Sequence, residues 1–235
     1  MSTRERRQVA SDAGLSKQRV VVEAVRLADR EGVDGLSMRR LAGALSAGAM
    51  SLYHYVANKD ELLDAMIDVV FDEIELPPED SDWQSAMRRR AVSAREVLAR
   101  HPWAIGLMES RTSPGPANLR HREAVTACLR RAGFSVVMAT HANWLLDSYV
   151  YGFARQQANL SSGEPGSPET AAQMLAEIPT DQFPHLTEVI THYIHQGGYD
   201  PDADFDFGLT LILDSLARLL DQAPQPEDDG HAIGP

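Results

Sequence analysis

What most restricts the fold of this chain is a helical period that recurs from residue 16 to residue 221, punctuated by caps and stops. Between 16 and 31 the apolar residues fall at Val20, Val21, Ala24, Val25, Leu27 and Ala28. That spacing lays one stripe along a helix, with Ser16 placed as N-cap and Gly32 as stop. Ser37 caps a second, short helix over 38–45, whose inner face is Met38, Leu41, Ala42 and Leu45. Three small residues, Ser46, Ala47 and Gly48, then separate it from a very short helical stretch over 49–55. Asn58 caps the next helix, which opens with Lys59, Asp60 and Glu61 and carries Leu62, Leu63, Met66, Ile67 and Val70 before stopping ahead of Pro77. Acids in a first turn suit the positive end of the helix dipole.

The remainder continues in the same period. Helices are expected over 83–100, 118–132, 135–160, 168–178, 184–196 and 205–221, with Gly133, a loop at 161–166 and Gly197-Gly198 as breaks. No stretch alternates with the period of two that a strand requires. The predicted fold class is all-α, with a three-helix unit at the N-terminus and a larger helical body. The expected division is an arm over 1–14, the three-helix unit over 15–60, the body over 61–223 and a tail over 224–235.

Charge is distributed in step with that division. The chain carries a net −12, but residues 1–60 are net +3 and the rest net −15. A basic head on an acidic body is the expected pattern if only the head meets phosphate. The N-terminus is charged and has no apolar core, so no signal peptide is expected. No run approaches the roughly 18 apolar residues of a membrane span. A cytoplasmic protein with no membrane partner is expected. Cys128 is the single cysteine, which excludes an intrachain disulfide and reads as a small buried residue.

Three short helices with a tight turn between the second and third are what a helix-turn-helix requires, although a purely structural bundle has the same spacing. The residue detail shifts the balance toward the helix-turn-helix. Residues 36–63, LSMRRLAGALSAGAMSLYHYVANKDELL, resemble the DNA-binding domain of the tetracycline-repressor (TetR) family. The shared pattern is an aliphatic-Ser start, an Arg in the second helix, a Gly/Ser-rich turn, Leu-Tyr-aromatic-aromatic, and Asn-Lys-Asp opening the fourth helix. The match is dense over 15–63 and looser beyond residue 75, where the chain is similar to the drug- and antibiotic-responsive branch.

The resemblance implies double-stranded DNA as a partner and roles for particular residues. Ser37 caps the second helix, and Arg39 reaches a phosphate or a base edge from it. Gly48, Ala49, Met50 and Ser51 form the leading turn of the recognition helix. Tyr53 and His54 lie along the DNA backbone, and Lys59 adds a cation to the free N–H groups of a helix N-terminus. Tyr55 reads as core, whereas Tyr53 is assigned to phosphate and His54 is equally a solvated side chain. Arg39 and Arg40 are adjacent, so only one of them faces DNA. Gly48, Ala49 and Met50 offer no bidentate side chain for a base edge, so readout falls to Arg39, Ser51 and apolar contact of Ala49 or Met50 with thymine methyls.

In the body, His141, Trp144, Leu145, Ser148, Tyr149 and Gly152 recur along one long helix. They suggest a small-molecule pocket for an apolar or aromatic effector, with ordinary core packing as the competing reading. By resemblance, Trp103, Met108 and Arg111 close that pocket toward the head. His192 and His195 share a helix, but without an acidic or Cys partner they read as a solvated pair rather than a metal site. The last helix, from Phe205 to Leu220, carries more apolar surface than one monomer buries, so a homodimer is expected. By resemblance it pairs with the long helix across a two-fold axis. There is no constellation of paired carboxylates, Ser-His-acid residues or a Gly-rich phosphate loop, so no enzyme and no cofactor is expected. The expected function is a ligand-responsive transcriptional repressor. A helical small-molecule-binding module without sequence-specific DNA binding is the alternative.

Overall fold

Each helix of the head in the computed structural model begins where a short side chain or a glycine ends the preceding turn. The structure describes residues 14–110, 114–160, 168–195 and 200–222, and its regular elements there are helices. The predicted arm, the 161–166 loop, the Gly197-Gly198 stop and the C-terminal tail lie outside or almost wholly outside these residues.

Helix α1 (Lys17–Glu31) starts at Ser16, whose hydroxyl accepts from Arg19 N at 3.2 Å, and ends at Gly32, which takes the left-handed φ of 75°. Helices α2 (Met38–Ala44) and α3 (Ala49–Leu52) follow, then α4 (Lys59–Glu73). The body consists of α5 (Trp83–Arg100), α6 (Ala104–Ser110), α7 (Pro116–Arg131), α8 (Val136–Leu160), α9 (Pro168–Glu177), α10 (Pro184–His195) and α11 (Pro201–Gln222). Helix α6 has no counterpart in the sequence reading: seven residues with Gly106 inside them carry too short a stripe to show a period. Helices α7 and α11 begin earlier than the period indicates, each with proline in its first turn, where a missing N–H costs nothing. Asp200 caps α11, accepting from Asp202 N at 3.0 Å and Ala203 N at 3.1 Å.

Two apolar cores form, and α4 belongs to both. Leu62, Leu63 and Met66 pack with Val20, Ala24, Leu41, Leu52 and Val56 in the head. Ile67, Val70, Phe71 and Ile74, one and two turns further on, pack into the body with Met87, Leu98, Leu146 and Leu209. The head core therefore runs past residue 60, because the amphipathic stripe of α4 does not break where the two units meet. Trp103 and Leu107, flanking and within α6, touch both cores. Cys128 is buried on α7, and burial raises its thiol pKa.

Helix α7 is seated by α4. Asp68 accepts from Ala117 N at 2.9 Å and Asn118 N at 3.0 Å, and a Cβ at Gly115 would lie 2.3 Å from the Asp68 carboxylate. Helix α11 runs antiparallel to α8: Tyr149 donates to Phe205 O at 2.9 Å, and Gly133, just before α8, faces Leu220. Arg88 of α5 pins α11 through Asp206 and Thr210.

Candidate nucleic-acid interface

The head presents α3 on a turn that its own backbone locks. After α2, Ser46 takes a left-handed φ of 54°; its N–H donates to Gly43 O at 3.1 Å, and Ala47 N–H donates to Ala42 O at 2.9 Å. This pair of bonds is the Schellman closure, here with serine where glycine is usual. Gly48 then starts α3, and Leu52, wholly buried, anchors that helix in the head core. With Leu52 inward, the geometry of one short turn fixes what faces out. Met50 is 77% exposed and Tyr53 is exposed, while Ala49 and Tyr55 pack partly against the core. Of the two apolar candidates for base contact, the helix therefore offers Met50. His54 is exposed and Ser51 half-buried.

The cations around α3 separate in the same way. Arg40 is tied down: its guanidinium pairs with Glu31 and donates to Gly35 O at 3.1 Å. Arg39 is exposed on the same short helix. Ser37 uses its oxygen to cap α2, accepting from Arg40 N at 3.3 Å, so its contribution is to hold the helix that carries Arg39. Lys59 is exposed at the first position of α4. The start of α4 is braced twice, by Asn58 accepting from Glu61 N at 2.8 Å and by Glu61 accepting from Ala57 N at 2.7 Å. Lys17 pairs with Glu61 at 2.7 Å, and its hydrogen bond, followed by that from Ala57, holds the Glu61 pKa below the ordinary glutamate value.

Behind this surface a polar knot ties α1 to the body. Asp29 Oδ1 accepts from Trp103 Nε1 at 2.7 Å and lies 2.7 Å from His101 Nδ1, while the other His101 nitrogen is 3.2 Å from Glu73 of α4. Burial alone would raise the Glu73 pKa, but hydrogen bonds from Arg100 and His101 outweigh it and hold it low. Nothing in the period of α1 distinguishes Asp29 from a solvated acid, so the sequence carried no signal for it.

The effector residues are redistributed. His141, Trp144, Leu145, Ser148 and Gly152 lie on the outward face of α8, with Trp144 65% exposed. The face of α8 that turns inward is Ala139, Ala142, Leu146, Val150 and Ala154. This placement has a steric reason. Small residues let α8 approach α5 closely, and the bulky members of the stripe are displaced to the other side. Tyr149 turns toward α11, where its ring stacks on Phe205 at 5.3 Å. Trp103 belongs to the head–body knot, Met108 packs against the body core, and Arg111 lies outside the described residues. Outward apolar residues also run along α11, at Phe207, Leu211 and Leu219. Among the described residues no cluster of three or more His, Cys, Asp or Glu side chains could hold a metal ion, and no helix is long and apolar enough to cross a membrane.

Comparison with known proteins agrees with this geometry at both ends of the chain. Residues 20–66 match the family described as bacterial regulatory proteins, tetR family, and residues 76–220 match the tetracyclin repressor-like C-terminal domain. The HTH-type transcriptional repressor DrrR1 of Streptomyces coeruleorubidus is 37% identical over 218 residues, covering 88% of this chain and 79% of that protein. An HTH-type transcriptional regulator of Saccharopolyspora erythraea is 35% identical, covering 86% of this chain and 85% of that protein. The crystal structure of ActR from Streptomyces coelicolor, a TetR family protein in complex with actinorhodin, superposes with a TM-score of 0.73 at 32% identity, over 88% of this chain and 98% of that one.

Proposed function

The chain belongs to the TetR family of bacterial regulatory proteins, and from that footing we propose that it is a homodimeric repressor that holds a pseudo-palindromic DNA operator and releases it when a small molecule binds the helical body. The observation that carries the reading is the outward side of the head. Leu52 fixes the roll of α3 so that Met50 and Tyr53 project, and Arg39 and Lys59 stand exposed beside it on α2 and α4. In this reading Met50 packs on a thymine methyl, Arg39 meets a phosphate or base edge, and Tyr53, His54 and Lys59 track the DNA backbone, with Gly48, Ala49 and Ser51 letting the helix end approach. Ser37 acts indirectly, through the cap of α2.

Dimerisation uses the outward faces of α8 and α11, which lie side by side and carry Val136, Val137, Trp144, Leu145, Phe207, Leu211 and Leu219 exposed. A second copy covering this surface makes an isologous four-helix bundle and sets the two recognition helices roughly one DNA turn apart, about 34–36 Å. Release runs through the elements shared by the two cores. A ligand that repacks the body shifts α4 and the α6 segment, and with them the head. The coupling amounts to about 1–3 kcal/mol if the ligand binds the released state better. The relative solved with actinorhodin supports a ligand-holding body of this architecture.

Selection from a random double-stranded DNA pool, followed by a salt titration of the winning sequence, tests the reading. A pseudo-palindrome bound by two chains with a steep salt slope is expected. An intact dimer that enriches no sequence would overturn it.

A further inference from the structure

Where head and body meet, α4 forms the floor of a crevice whose walls come from both units. On one side stands α1 of the head, with Lys17 and Val21; on the other is the entry into α7, with Pro114 and Pro116. The crevice holds about 520 Å³, within the roughly 300–1,000 Å³ of small-molecule sites. Along the floor, Glu61, Asp64, Ala65, Asp68 and Val69 recur at helical spacing, each half-buried. They are of two kinds. Ala65 and Val69, with the buried Val21 of α1, give the crevice an apolar centre. The other three line it with carboxylates.

Two of those carboxylates are committed to neighbouring elements. Glu61 accepts from Ala57 N and pairs with Lys17, and Asp68 accepts from the first N–H groups of α7. Asp64 lies between them, about one turn from each along the helix. Three carboxylates against one lysine leave two negative charges in excess. Acids three and four residues apart on one helix face repel, and partial burial weakens the screening that water supplies. A cation seated over Asp64 relieves that repulsion, whereas an anion adds to it. The carboxylates do not converge as the ligands of a metal ion would. The apolar centre offers a bare ion no oxygen, but it offers a hydrocarbon body a surface to cover. The complementary occupant is therefore amphipathic, with an ammonium at one end.

We propose that this crevice is a second ligand site, separate from any effector pocket within the body. It takes an amine with an apolar body, the ammonium against Asp64 and the hydrocarbon on Val21, Ala65 and Val69. Because the walls belong to α1 and α7, an occupant clamps the head to the body. A dimer whose heads are already held in place loses less freedom on binding DNA, so the amine acts as a corepressor. The effect on the operator rests on the proposed function, whereas the binding itself does not.

The test uses the full-length protein and matched pairs that differ only in the head group: naphthylethylamine with naphthylethanol, and phenylbutylamine with phenylbutanol, together with naphthylacetate. Binding is measured by calorimetric titration at neutral pH, and its consequence by titrating the selected operator with and without amine. At least one amine is expected to bind about tenfold tighter than its alcohol, and tighter than the acetate. The same amine is expected to tighten operator binding about fivefold. Asp64→Asn is expected to abolish the preference for the amine. Asp72→Asn, which removes the same charge from an exposed position of α4, is expected to keep it. Ala65→Leu, which fills the crevice, is expected to weaken amine and alcohol alike, and it serves if Asp64→Asn does not fold. Equal binding within each pair, no binding by either amine, a preference that survives Asp64→Asn, or full amine affinity in Ala65→Leu would overturn the proposal. So would operator binding left unchanged or weakened by a bound amine. An operator-binding dimer without the amine preference defeats only this inference, whereas failure to select any operator defeats the repressor reading itself.

Discussion

Replacing Asp29 by alanine cuts the knot between head and body, and the cost can be worked from its contacts. Asp29 Oδ1 holds Trp103 Nε1 and His101 Nδ1, each at 2.7 Å. Hydrogen bonds to an ionised acceptor contribute about 1.5–3 kcal/mol when buried. Trp103 is only half-buried and regains water, so its bond is worth about 1 kcal/mol here; His101 is 6% exposed, and its bond is worth about 2 kcal/mol. Two effects oppose the loss. Alanine is a better helix former than aspartate by roughly 0.5 kcal/mol, and removing a negative charge from the last turn of α1 gains roughly 0.5 kcal/mol. The net destabilisation is about 2 kcal/mol. In a chain of this size that lowers Tm by about 4–8 °C. Calorimetry gives the Tm, and hydrogen exchange across residues 101–110 reports whether the loosening is local to the knot. A Tm within about 1 °C of the parent, with unchanged exchange in that segment, would refute the claim that Asp29 binds the two units together.

His121, buried on α7 with Arg90 donating to its Nε2, makes stability pH-dependent. Burial holds its folded pKa at about 3, below the unfolded value near 6.5, so its contribution is complete above pH 6.5 and is lost as pH falls. From pH 6.5 to 5, above the range where carboxylates titrate, the chain should lose about 2 kcal/mol in denaturant titrations, and His121→Gln should flatten that slope. Arg39→Ala should weaken operator binding and reduce the salt slope by about one, whereas Arg40→Ala should leave the slope in place and cost no more than about 1 kcal/mol of stability, as read by filter binding and thermal melts. Ser46→Gly should stabilise the head by about 1 kcal/mol in chemical denaturation, since it relieves a left-handed non-glycine residue. At Gly208 a Cβ would lie 2.4 Å from the Tyr149 hydroxyl oxygen, so Gly208→Ala should cost about 1–3 kcal/mol and loosen the dimer by sedimentation. A monomer–dimer equilibrium unchanged by Gly208→Ala would show that the packing of α8 on α11 does not shape the interface.

The elements were legible in the sequence because their causes are local. Ser16, Ser37 and Asn58 each cap the helix whose start they mark, since a side-chain oxygen and an N–H three residues on are brought together by the first turn itself. The outward roll of α3 was legible for the same reason: with Leu52 apolar and buried, Met50 and Tyr53 have nowhere else to point. The long helix α8 was legible as an element, but its inner and outer sides were not. The outer side also carries large apolar residues, Val136, Val137, Trp144 and Leu145, so the period that separates core from solvent in α1 is blurred in α8. Only close packing against α5 selects Ala139, Ala142 and Leu146 as the inner face and turns Trp144 outward. The knot at Asp29 and the buried pair of Arg90 with His121 were invisible for a related reason. Each joins residues that lie dozens of positions apart in the chain, and a lone acid or arginine has no local signature of burial. Short-range hydrogen bonds and helical period are written in the sequence, whereas the choice between two faces that both carry apolar residues, and the company a buried charge keeps, are decided only when the helices pack.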